Sequence, residues 1–186
     1  MPIVINTYGD TRMTSKLKTD ILETVSGSGT IALTNQLTGM TSASVPAGSV
    51  IQVVSGGSTN TANGGFLLTT TSTSFVGVAG MNAQITPSST SSRILININT
   101  VLHRGDSARL TIYRGSTNIG GSTHGFARLS GTGQAYWHPL SISYVDSPNT
   151  TNAVSYQLYA LAEGGTLYVG GDSDMKSTIT LTEIKG

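Results

Sequence analysis

From Ser49 onward, apolar and polar residues alternate with a period of two, the spacing that sends successive side chains to opposite faces of a strand. Ile94, Ile96 and Ile98 share one face of Arg93–Leu102, and Asn97 and Asn99 occupy the other. Leu110 and Ile112 alternate ahead of a turn at 115–118. Leu140, Ile142 and Tyr144 alternate with Ser141 and Ser143, and Val154, Tyr156, Leu158 and Ala160 repeat the pattern. Leu167 and Val169 precede Gly170, and Ile179 and Leu181 lie between Thr178, Thr180 and Thr182. With Val50–Val54, Phe66–Thr70 and Phe75–Val78, the pattern predicts about nine strands separated by Gly, Asn, Asp and Pro turns. One apolar face per strand means antiparallel sheets with a single buried side. No helix-period segment of about ten residues is present to cross over between parallel strands. The expected fold is all-β, an antiparallel double-sheet β-sandwich of the jelly-roll kind. Its core should hold Ile94, Ile96, Ile98, Leu110, Ile112, Ile142, Tyr156, Leu158 and Ile179.

Residues 1–45 follow a different pattern. Met13, Leu17, Ile21 and Val25 are spaced by four, which suits a helical face. Leu17, Thr19 and Ile21 also alternate with charged neighbours, which suits an edge strand, and Thr14, Thr19 and Thr24 tilt the reading toward strand. A turn at 26–29, a short strand at 30–34 and a stretch from Thr41 to Gly48 containing Pro46 complete the segment. The chain therefore reads as an N-terminal segment with short strands, 1–45, and a β-sandwich domain, 46–186.

Composition explains how so regular a pattern stays polar. Charged residues are only 10% of the chain, against about 25% in an ordinary domain, and the polarity comes instead from 28 Thr, 24 Ser and 23 Gly. Aromatic residues are 6%. A thin core and many weakly charged strand edges favour a permanent oligomer, which hides edges and enlarges the buried interior. Cysteine is absent, which removes disulfides, thiolate metal sites and a Cys nucleophile. No apolar run approaches 18 residues, so no membrane insertion is expected, and the start lacks the pattern of a secretory signal. Synthesis in a cytoplasm is the expectation.

Motifs of catalysis are missing: the sequence holds no G-x-S-x-G, no G-x-x-x-x-G-K-[ST] and no H-E-x-x-H. His103, His124 and His138 are scattered, and Asp172 and Asp174 lack the further oxygen ligands of a calcium loop. Neither a cofactor nor a metal is expected, and the protein reads as a non-enzyme. Charge is segregated, however. Residues 93–128 carry Arg93, Arg104, Arg109, Arg114 and Arg128 against Asp106, a balance of +4, and residues 146–186 carry −3. Arg suits bidentate contacts to anions, which makes Arg104, Arg109 and Arg114 candidate ligand-binding residues. A net charge of +1 lacks the basic footprint of a nucleic-acid binder. Tyr136, Trp137 and His138 form the densest aromatic cluster, after Gly131 and Gly133. On a loop such rings could stack on sugars; equally, Trp137 could fill a core or a subunit interface.

Several phrases also resemble a known family. The segments LTTTSTSFV (68–76), ITPSSTSSRILI (85–96), ARLTIYRGSTNIG (108–120) and YVDSPNTT (144–151) with VSY (154–156) are similar to a domain of tail-fibre-like proteins of marine bacteriophages. The segment SKLKTD (15–20) resembles the short stretch that precedes such domains. The resemblance implies a homotrimeric jelly roll similar to C1q and tumour-necrosis-factor heads, displayed on the virion surface. A long anchoring domain and a fibre shaft are missing from the sequence, which favours a short fibre or fibre tip. Its expected partners are other virion proteins and a host-surface polysaccharide. Capsid decoration or cement, or a head fibre with a mainly architectural role, is the alternative. In either case Arg12, Lys16, Leu17, Lys18 and Ile21 are the candidate attachment residues.

Overall fold

A computed structural model describes residues 45–59, 66–104, 107–131, 136–171 and 175–186; the candidate attachment residues Arg12, Lys16, Leu17, Lys18 and Ile21 lie outside these. All described residues belong to one compact unit, and none of them is helical. The described residues form eleven strands: β1 (Val50–Thr59), β2 (Leu68–Thr70), β3 (Val76–Ile85), β4 (Arg93–Arg104), β5 (Ala108–Arg114), β6 (Thr117–Asn118), β7 (Ala127–Leu129), β8 (Tyr136–Asp146), β9 (Val154–Ala162), β10 (Leu167–Val169) and β11 (Lys176–Ile184).

Two antiparallel sheets result. Sheet A runs β1–β11–β4–β10–β2, with β8 along the other edge of β4; sheet B runs β3–β9–β5–β6, with β7 also on β5. Their apolar faces pack together as a sandwich. The nine core residues expected from the alternation are all buried, eight of them with no exposed surface and Ile142 with 6%. They are joined by Val78, Met81, Leu102, Leu167, Val169 and Leu181, among others. Buried hydroxyls pair with each other where they intrude, as Thr100 and Ser177 do at 2.9 Å. The sheets approach closely beside β1, where a Cβ on Gly56 would meet the Asn82 carbonyl oxygen at 2.2 Å, so only glycine fits.

The strand pattern differs from expectation in three places. Strands β6 and β7 are only two and three residues long, too short to show a period. Strand β3 extends through Gly77 and Gly80 to Ile85, with a register shift between Gly77 and Asn82 where it pairs with β9. Strand β8 starts at Tyr136, so the aromatic segment expected on a loop lies in a strand paired with β4 from Arg104↔Tyr136 to Ile94↔Asp146. Pro139 is tolerated there because β8 is an edge strand whose far side needs no ladder partner.

Candidate functional site

Strand alternation divides the aromatic segment. On β4, Ile94, Ile96, Ile98, Thr100 and Leu102 turn into the core, which sends Leu95, Asn97, Asn99, Val101 and His103 outward. Register then aligns a row across three strands, with His103 opposite Trp137 on β8 and Tyr168 on β10. The His103 ring lies 4.6 Å from Trp137 and 5.6 Å from Tyr168. Phe66 completes the cluster at 4.5 Å from Tyr168, 6.0 Å from Trp137 and 6.3 Å from His103. Contacts of this kind are each worth roughly 0.5–1.5 kcal/mol beyond area burial. Trp137 remains 43% exposed, and His103 Nδ1 is buried without a hydrogen-bond partner. Tyr136 and His138 fall in the opposite phase of β8 and meet each other edge-on at 6.4 Å. The sequence pointed to Trp137; Phe66, His103 and Tyr168 joined it only through register.

The same outward face of sheet A carries a regular uncharged grid. Three cross-strand rows span β1, β11, β4 and β8: Val53–Thr182–Leu95–Val145, Ser55–Thr180–Asn97–Ser143 and Gly57–Thr178–Asn99–Ser141. None of these twelve residues is ionisable. Val53 and Val145, 58% and 42% exposed, add apolar surface to it. Such a face can be covered by protein without desolvating a charge, and its hydroxyls and amides need only hydrogen-bond partners.

The three candidate arginines go to separate places. Arg104 ends β4 opposite Tyr136. Arg109 and Arg128 are directly paired across β5 and β7, an unfavourable match of like charges that Glu163 resolves by bridging both. Arg109 also donates to the Thr123 carbonyl. Desolvation pushes the Glu163 carboxyl up, but hydrogen bonds from Arg128 and Arg109 outweigh it and hold the pKa below the ordinary value. Arg114 turns inward at the end of β5, where its Nη1 donates to both Asp146 oxygens at 3.1 and 2.9 Å. Tyr156 Oη donates to the same carboxylate at 2.7 Å. Burial, then the bond and charge of Asp146, push the Tyr156 phenol far above its ordinary pKa. This trio ties β5 and β9 of one sheet to β8 of the other.

Among the described residues no group of three His, Cys, Asp or Glu side chains is placed to hold a metal ion, and no helix is long and apolar enough to cross a membrane. No family model matches the chain, and no curated protein matches it.

Proposed function

We propose that this chain is a bacteriophage virion structural protein, a short homotrimeric fibre or fibre tip that displays its sandwich on the particle surface and binds a host glycan. Residues 1–45 attach it to its neighbours in the virion. The observation that carries the reading is the uncharged twelve-residue grid on the outward face of sheet A. Twelve non-ionisable residues in register, extended at one end by the Phe66–His103–Trp137–Tyr168 cluster, suit contact with further copies of the same chain. Trp137 and its neighbours accordingly serve the subunit interface.

Strand order supports the jelly-roll part. Counting β1, β3, β4, β5, β7, β8, β9 and β11 as eight principal strands, the pairs are first with eighth, second with seventh, third with sixth, and fourth with fifth. That nesting is how a chain winds into two Greek keys across two sheets, as C1q-like and tumour-necrosis-factor-like heads do.

Imaging of intact particles carrying a labelled chain tests the reading. Label at a tail or fibre end, in groups of three, is the expected result. Label spread over the capsid lattice would make the protein a decoration or cement protein, and its absence from particles would overturn the virion reading.

A further inference from the structure

At the end of the sandwich where β5, β8 and β9 finish or begin, a cavity of about 240 Å³ opens between the sheet B strand ends and the β8–β9 loop. Its wall includes Gln84, Arg114, Pro148, Thr150, Val154 and Ser155. The volume lies below the roughly 300–1,000 Å³ of clefts for drug-sized ligands. That suits an occupant of about one ring.

Arg114 gives the cavity its chemistry. The guanidinium is held from behind, with Nη1 on both oxygens of buried Asp146, and Asp146 is itself fixed by Tyr156. Both hydrogen bonds to Asp146 use Nη1, the guanidinium also bonds toward the Tyr156 hydroxyl, and the side chain keeps 31% of its surface exposed. The exposed part of the planar guanidinium offers N–H donors to a ligand that presents two adjacent acceptors. Orientation by Asp146 means that little side-chain entropy is lost when they are engaged. Arg114 and Asp146 cancel in charge, and no other ionisable residue lines the cavity. A neutral ligand is thus preferred over an anion, which would meet the Asp146 carboxylate just beyond the guanidinium. The Gln84 amide and Ser155 hydroxyl add hydrogen-bonding groups, and Pro148 and Val154 supply an apolar surface.

We propose that this cavity binds one neutral sugar ring, with two vicinal hydroxyls on Arg114 and the C–H face of the ring against Pro148 and Val154. The inference deepens the proposed function and rests on it for the source of the sugar, a host-surface glycan.

The test is a titration of the full ¹⁵N-labelled chain with glucose, galactose and mannose, followed by amide shifts. Saturating shifts at Gly115, Thr150 and Ser155 with at least one hexose are expected, and loss of those shifts in Ala153→Trp, which fills the cavity and leaves residue 114 an arginine. Arg114→Lys keeps the charge opposite Asp146 but loses the planar edge, so it should weaken binding as well. No shift with any of the three hexoses, or shifts that survive in Ala153→Trp, overturns the site. Binding of glucuronate about tenfold tighter than glucose, a difference of about 1.4 kcal/mol, overturns the neutral-ligand assignment. Staining of phage-sensitive cells by the labelled chain separates the two readings. Staining without hexose shifts removes the cavity and leaves the proposed function, and hexose shifts without staining do the reverse.

Discussion

Gln52 and Glu183 stand opposite each other on β1 and β11, and the Gln52 amide donates to Glu183 Oε2 at 2.6 Å. Glu183 has no exposed surface. Its other oxygen accepts from the Ser88 amide, the Ser88 hydroxyl and the Ser92 hydroxyl at 2.6–2.7 Å. One buried carboxylate thus holds the 86–92 loop against two strands with no cationic partner among the described residues. Desolvation pushes its pKa up, and the bonds from Ser92, Gln52 and Ser88 outweigh that and lower it below 4.5. Glu183→Gln, which faces an amide with an amide, should destabilise the fold by about 1–3 kcal/mol at neutral pH. As pH falls through the usual carboxylate range, the unfolded chain protonates at Glu183 before the folded one, so wild-type stability declines. The gap between wild type and variant should narrow below pH 4.5. Urea denaturation at pH 7 and near pH 3.5 measures both, and a gap that widens in acid would contradict the assignment.

Tyr156 shows the opposite sign. Its phenol is raised above 10.0 in the folded chain, so the stability it contributes is present below that value and is lost as pH rises. Tyr156→Phe should cost about 1.5–3 kcal/mol at neutral pH, the range for a bond to a charged group. The variant should lose stability less steeply than wild type above pH 10.0. Ultraviolet titration of phenolate gives a direct check, because one tyrosine should ionise only when the chain unfolds.

Ile96 lies on β4 between β11 and β8, opposite Leu181 and Tyr144, with no exposed surface. Ile96→Ala should destabilise by about 2–5 kcal/mol through lost transfer energy and the cavity left behind. A loss under about 0.5 kcal/mol, typical of surface sites, would mean that this face is not the core.

Asn97 sits in the middle of the uncharged grid. Light scattering of the wild-type chain should give three times its 19.2 kDa mass. Asn97→Arg introduces a charge that an interface would have to desolvate, and should yield folded monomers. Unchanged trimers in the variant would place the interface elsewhere, and a monomeric wild type would remove it.

Deleting residues 1–25 should leave the strand content of the sandwich nearly unchanged by circular dichroism, because the core residues found among the described residues lie from Val78 onward. The same deletion should abolish incorporation into particles. Normal incorporation would move attachment into the β domain and favour capsid decoration.

Alternation by itself determined the class of fold and the identity of the core. Where every second residue is apolar, only a strand with one buried face can satisfy the pattern, and this holds whichever strand lies alongside. Ile94, Ile96 and Ile98 could therefore be assigned to the interior from β4 alone. Partnership was decided in three dimensions. Nothing local says that β4 lies between β8 and β11, yet that choice brings His103 beside Trp137 and Tyr168 while Tyr136 and His138 fall in the other phase. Nor does it say that Arg114 and Asp146, 32 residues apart, share a hydrogen bond. Sequence reading grouped Tyr136, Trp137 and His138, and Arg104, Arg109 and Arg114, by proximity along the chain. The sheets separated both sets, because adjacent residues on a strand point to opposite faces while contacts are made across strands from distant parts of the sequence.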